Sequence, residues 1–346
     1  MTPTVAIRAD GSQGIGMGHI MRCIGLAQEF RARAYQVVFI SAVRSAQIEA
    51  LVTSFGMDYV ASDLEIGSAD DLAFTLATCR DREACFLVVD GYRFGADWLS
   101  GLRSEGLSAM LWTDYCQAQR LPVDLILDQT PADNFVLYEA ASAANTLILN
   151  GLEYAVLRDE FLRHPGIRRL RESVERVLVT FGGADPIGAT VKVTEILLQT
   201  ACDVHFDIVV GPANTRVDEV RVLVENKPNF SLHVATKEMA RLVSEADLAI
   251  SAAGTSLWEF AYSGLPTIAT VIADNQILLA DSLERLQCSV NLGRIEAVRA
   301  ETLEAELARL LAETDRLRTF SQRMMRLVDG EGRARVVDSV EAMLRE

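Results

Sequence analysis

The chain lacks the patterns by which cysteine-rich and metal-binding proteins are recognised. Its six cysteines, Cys23, Cys79, Cys85, Cys116, Cys202 and Cys288, form no CxxC pair and have no histidine nearby at ligand spacing. A reduced, metal-free cytoplasmic protein is expected. Positive charge is also scarce: 33 Lys and Arg stand against 48 Asp and Glu, for a formal net charge of -15. Such a field repels phosphates, so nonspecific binding to nucleic acid or anionic lipid is disfavoured, and any phosphate-bearing ligand needs a locally positive site. The N-terminus runs directly into "TVAIRAD", a predicted strand, without the basic segment and apolar core of a secretory signal. One long apolar run, Leu248 to Ala273, carries a single charge, Glu259, but glycines and a proline interrupt it. It predicts buried strand, loop, short helix and strand rather than a membrane span. Nothing in the sequence points to an obligate protein partner.

What is present is the alternation of an α/β protein. A length of 346 residues, half of them hydrophobic and 23% charged, suits two domains of about 150 to 200 residues. Short runs rich in Val, Ile and Leu alternate with segments of helical period, the pattern of parallel sheets covered by helices on both faces. Strands are expected near Val5–Arg8, Val37–Ser41, Phe86–Asp90, Ala109–Trp112, Leu125–Leu127 and Thr146–Leu149. A second set is expected near Val177–Phe181, Phe206–Val210, Leu232–Val234, Leu248–Ser251 and Thr267–Val271. The charged stretch "RDEFLRHPGIRRLRESVER", with Pro165 and Gly166, interrupts the pattern. The reading is therefore a first doubly wound domain over 1–157, a linker over 158–174, and a second such domain over 175–346 that ends in helices. Ligands of this architecture bind outside the carboxyl ends of the strands, here in a cleft between the domains.

The loop after the first strand, "RADGSQGIGMGHIMRC", departs from the dinucleotide fingerprint. Counting from Gly14 and Gly16, the third glycine of G-x-G-x-x-G is replaced by His19, and the second strand ends in "FISAVRS" without the acidic residue that holds a ribose. No Walker lysine follows either, so neither NAD nor a P-loop is expected. Gly14, Gly16 and Gly18 nevertheless let backbone N–H groups approach an anion at a helix N-terminus. His19 is either a polar residue of the first helical turn or a general base; the positive helix end favours the neutral imidazole that a base requires. Asp10 could orient it or form an Asx-turn. The following helix puts Ile20, Cys23, Ile24, Ala27 and Phe30 on one face.

Further loops carry weaker signals. In "SAAGTSLWEFAYSGLP", Gly254, Thr255 and Ser256 supply donors at a helix start, a ready pyrophosphate site. Glu259 is either half of a capping box with Ser256 or an acceptor for ribose hydroxyls. In "ADNQ", Asn275 and Gln276 could cap the next helix or bind sugar and phosphate oxygens. In "VTFGGADP", Gly182 and Gly183 form a sharp turn into a helix from about Pro186 or Ile187, and either shape the nucleotide pocket or serve the turn alone. "VVDGYRF" ends a strand with Asp90 and Tyr92, a polar pair that could face the cleft.

Taken in order, "RADGSQGIGMGHIMRC", "VVDGYRF", "GLEYAVLRDEF", "FGGADP", "SAAGTSLWEFAYSGLP" and "ADNQ" resemble the PseG-type nucleotide-sugar hydrolases of nonulosonic acid biosynthesis. These are similar in fold to the MurG-like glycosyltransferases of GT-B architecture. The resemblance spans nearly the whole chain. It implies release of UDP from UDP-2,4-diacetamido-2,4,6-trideoxy-β-L-altropyranose, on the way to pseudaminic acid, by water attack at the anomeric carbon with inversion. No metal or other cofactor is implied. It also implies that His19 is the catalytic residue, that Tyr92 and Asn275 are in the active site, and that Gly254, Thr255, Ser256 and Glu259 bind UDP. An acidic segment near Ser62 to Arg82 reads as an insertion relative to the shortest family members, as does the helical tail. A GT-B glycosyltransferase using a UDP-sugar donor is the nearest alternative, and a noncatalytic UDP-sugar binder is another.

Overall fold

In the computed structural model the chain forms two compact units, and the structure describes residues 2–12, 15–114, 120–131, 135–163 and 173–345. One unit comprises Met1–Ile15, His19–Arg158 and Gly330–Glu346; the other comprises Gly16–Gly18 and Asp159–Asp329. The first contains a seven-stranded sheet of β1 (Thr4–Ala9), β2 (Gln36–Ser41), β3 (Asp58–Ala61), β4 (Ala84–Asp90), β5 (Ala109–Trp112), β6 (Leu125–Asp128) and β7 (Leu147–Asn150). Its spatial order is β3-β2-β1-β4-β5-β6-β7 and every pairing is parallel. The second contains β8 (Arg176–Thr180), β9 (His205–Val210), β10 (Phe230–Val234), β11 (Leu248–Ala252), β12 (Thr267–Val271) and β13 (Ser289–Arg294). These run parallel in the order β10-β9-β8-β11-β12-β13.

Central strands such as β1 and β11 are buried along their whole length. Because both faces are buried, apolar residues stand at consecutive positions (Val5, Ala6 and Ile7; Leu248, Ala249 and Ile250) rather than at alternating ones. The two strands the sequence reading omits, β3 and β13, lie at sheet edges and are partly polar ("DYVA" and "SVNLGR"), with half-buried residues. The Leu248–Ala273 run is β11, the helix Ser256–Ser263 and β12, as its interruptions predict. Among the described residues no helix is long and apolar enough to cross a membrane.

The acidic stretch from Ser62 to Arg82 is the crossover between β3 and β4 and contains the helix Ala69–Asp81, capped by Ser68. Its Asp71 is fully buried, and its two carboxylate oxygens accept from Arg8 Nε and an Arg8 terminal nitrogen, each at 3.0 Å. The acidity therefore serves in part to anchor the crossover helix on β1. The last helix, Gly332–Met343, groups with the first unit, whereas the sequence reading has it in the second. A side chain at Gly332 would stand 2.3 Å from the carbonyl oxygen of Ala155, so only glycine permits this approach. Arg33 fixes the same helix through Asp338 at 2.5 Å and the Ala334 carbonyl at 3.2 Å.

Candidate active site

In a doubly wound sheet the chain leaves neighbouring strands in opposite directions at one point, and the loops there part to make room for a ligand. The strand orders put that point between β1 and β4 in the first unit and between β8 and β11 in the second. The glycine loop follows β1, and "DGY" begins on the last residue of β4. "FGGADP" follows β8 and "AGTS" follows β11. These four motifs thus fall at the two switch points.

In the first unit the helix Gly18–Ala32 opens directly after the glycine loop, so His19 stands in its first turn and is 8% exposed. Its apolar face, Ile20, Cys23, Ile24, Ala27 and Phe30, is buried as predicted. His19 Nδ1 lies 2.7 Å from Asp90 Oδ1. Asp90, only 1% exposed, also accepts from Arg22 Nε at 2.7 Å, from an Arg22 terminal nitrogen at 2.5 Å and from the Cys23 thiol at 3.2 Å. Burial alone would raise the carboxyl pKa, but Arg22 and then His19 hold it well below the ordinary carboxylate range. An ionised carboxylate can only accept, so the proton on His19 Nδ1 points at Asp90, and in the neutral ring Nε2 is then the nitrogen with the lone pair.

Asp90 has taken the place that the sequence reading offered to Asp10. Asp10 instead accepts from Arg8 at 2.7 Å, from the Ser41 hydroxyl at 2.9 Å and from the Ala42 amide at 2.9 Å, tying β1 to the end of β2. Arg8 sits between Asp10 and Asp71 with no exposure. These bonds give Asp10 a structural task in holding β1 to β2.

Asp114 and Tyr92 complete the cluster. Arg22 uses its remaining terminal nitrogen on Asp114 Oδ1 at 2.5 Å, and its guanidinium carbon lies 4.8 Å from the Trp112 ring centre. Burial would lower the Arg22 pKa; Asp114 and Asp90 outweigh it and raise it above its usual value. Tyr92 donates its hydroxyl to the other oxygen of Asp114, and its ring meets the His19 ring edge-on with centroids 4.9 Å apart. Burial and Asp114 push the phenol pKa upward, so Tyr92 remains a donor. The Cys23 thiol is likewise pushed up by burial and by Asp90, and remains protonated. Arg22, Asp114 and Cys23 are absent from the sequence-derived set. The available signals were the i+3 spacing of Arg22 from His19 and the position of Asp114 just beyond the end of β5.

In the second unit Gly182 adopts φ +82°, which a side chain rarely tolerates. The backbone of Gly183 comes so close that a Cβ at Gly211 would lie 2.3 Å from its Cα. Asp185 accepts from the Ala189 and Thr190 amides at 2.8 Å each, so the helix begins at Ala189, later than the sequence reading has it. The helix Ser256–Ser263 has Thr255 as its N-cap residue with no side-chain cap bond, and Ser256 is its first residue. Glu259 is buried at 7% exposure. Gln276 makes no cap bond either; its Oε1 accepts from the Ile272 amide at 2.9 Å. A Cβ at Gly254 would stand 3.6 Å from Gln276 Nε2, so the loops after β11 and β12 meet there. Asn275 lies in the short 3-10 turn Asp274–Gln276 of the same loop. Gly16 adopts φ +85°, Gly18 begins the His19 helix, and Gly14 lies outside the described residues. Among the described residues no group of three or more His, Cys, Asp or Glu could hold a metal ion.

Residues 176–336 match the family described as the glycosyltransferase family 28 C-terminal domain. The spore coat polysaccharide biosynthesis protein SpsG of Bacillus subtilis (strain 168) is 25% identical over 335 residues, 96% of each chain. The crystal structure of Acinetobacter baumannii MurG has a TM-score of 0.66 at 16% identity, covering 98% of this chain and 99% of that one. The S. aureus MnaA–UDP co-structure has a TM-score of 0.71 at 10% identity, covering 100% and 97%. With two parallel Rossmann-like sheets of seven and six strands, the chain has the GT-B fold.

Proposed function

We propose that the chain is an enzyme that cleaves the anomeric C–O bond of a UDP-sugar, with His19 as the general base for an oxygen nucleophile. The observation that carries this reading is the buried His19–Asp90 pair at 2.7 Å, at the switch point of the first sheet. Asp90 fixes the tautomer that leaves Nε2 able to take a proton and stabilises the imidazolium that results. As the nucleophile's oxygen bonds to the anomeric carbon, its proton passes to Nε2. The C–O bond to the pyrophosphate breaks with its electron pair on UDP, and attack from the opposite face inverts the centre.

The second unit is assigned the UDP moiety. Backbone N–H groups at the start of the helix Ser256–Ser263 and the glycine-bearing loops at the same switch point would take up pyrophosphate charge. Glu259 is assigned to the ribose, and Tyr92 and Asn275 to the sugar. The match of residues 176–336 and the UDP-bound neighbour support this division.

The identity of the nucleophile separates two forms of the reading. In the hydrolase form it is water, the substrate is UDP-2,4-diacetamido-2,4,6-trideoxy-β-L-altropyranose, and the product feeds pseudaminic acid synthesis. In the transferase form it is an acceptor hydroxyl. The glycosyltransferase match and the likeness to a spore coat polysaccharide biosynthesis protein favour the transferase form at least as strongly. Incubation with the nucleotide sugar alone separates them, because fast UDP release without acceptor belongs to the hydrolase. In ¹⁸O-water the hydrolase labels the sugar and not UDP; label in UDP would mean attack at phosphorus and would sink both forms.

A further inference from the structure

The groups around His19 form a closed ring rather than a simple pair. His19 meets Asp90, Asp90 meets Arg22, Arg22 meets Asp114, Asp114 accepts from Tyr92, and the Tyr92 ring returns to His19. Arg22 is 5% exposed, yet it serves two carboxylates from three nitrogens. Burying such a set is costly unless its geometry is fixed on every side. A terminal nitrogen of Arg22 also lies 3.3 Å from His19 Nδ1. Both atoms carry protons there, so this contact holds only while each is committed to Asp90. The two ends of the ring hold the imidazole differently: Asp90 sets its tautomer, and Tyr92 sets the tilt of its plane.

We propose that Arg22 and Asp114 are positioning residues for the His19 base, with Arg22 holding the Asp90 carboxylate and Asp114 holding both Arg22 and the Tyr92 hydroxyl. The proposal deepens the base assignment above and rests on it. Neither residue touches the reacting atoms; each acts through a neighbour that faces the imidazole. The charged and titratable groups of the ring come from three elements. His19, Arg22 and Cys23 lie on the helix, Asp90 and Tyr92 at the end of β4, and Asp114 just after β5. Displacing a catalytic group by about 1 Å costs on the order of 10²-fold in rate, which sets the scale expected for loosening this ring.

The test uses the full chain with Arg22→Met, Arg22→Lys and Asp114→Asn, each checked for a native unfolding transition. Arg22→Lys keeps the charge and guards against failure of Arg22→Met to fold. Long-range ¹H–¹⁵N spectra read the His19 tautomer directly, since the chain has only four histidines. Loss of the single Nδ1–H form in Arg22→Met and Asp114→Asn, with partial recovery in Arg22→Lys, supports the proposal. So does a fall in kcat of about 10- to 10²-fold with little change in KM. A single Nδ1–H tautomer retained in all three folded variants overturns it. Full turnover by His19→Asn instead overturns the base assignment, and the tautomer readout keeps the two failures apart.

Discussion

Asp90 gathers four donors onto two oxygens while almost wholly buried, and this concentration makes it the most informative single residue to change. Asp90→Asn would offer an amide where donors already point and release the His19 tautomer. Turnover should fall about 10²- to 10⁴-fold, the range expected for losing a working base, measured as initial rate of UDP release. The carboxyl also links folding to pH. Its folded pKa is depressed, because Arg22 and His19 outweigh burial. It therefore stabilises the fold above the unfolded value of about 4, and that contribution disappears as pH falls from there through the folded value. Urea midpoints of wild type and Asp90→Asn should differ by a constant amount from pH 7 down to about 5 and converge only below about pH 4. Convergence already near pH 6 would contradict this assignment of charge.

At the scale of elements, the buried triad of Arg8, Asp10 and Asp71 ties β1, the end of β2 and the crossover helix Ala69–Asp81 together. Arg8→Met would leave two buried carboxylates without their cation, a loss of roughly 3 to 5 kcal/mol in urea unfolding. A stability within experimental error of wild type would show that the cluster relaxes or takes up protons instead. These elements also show how far the sequence could be read. The central strands were legible because they are buried on both faces, and the His19 helix because its apolar positions recur every three or four residues. Short polar edge strands such as β3 carry too few buried residues to stand out. His19 was legible from the glycines before it, but its partner was not. Asp10, Asp90 and Asp114 all lie at or just beyond strand ends, and only the adjacency of β1 and β4 decides that Asp90 meets the imidazole. That adjacency is set by sheet order, which local patterning does not encode.

For the whole molecule, the proposed reaction assigns chemistry to the first switch point and UDP to the second. Binding should then be separable from turnover. UDP at a hundred times its Kd should stabilise the protein by about 2.7 kcal/mol, seen as a rise in Tm, and His19→Asn should show the same rise. Gly254→Ala tests the other unit. The added Cβ meets only Gln276 Nε2 at an ordinary 3.6 Å, so the fold should tolerate it while close approach of a phosphate should not. A Gly254→Ala protein with an undiminished UDP shift would move the pyrophosphate elsewhere. The measurement that bears most directly on the central claim is the rate of UDP release from a UDP-sugar by wild type and His19→Asn, followed by NMR with and without acceptor. The account predicts near-complete loss of release in His19→Asn with UDP binding intact; full turnover by that variant would contradict it.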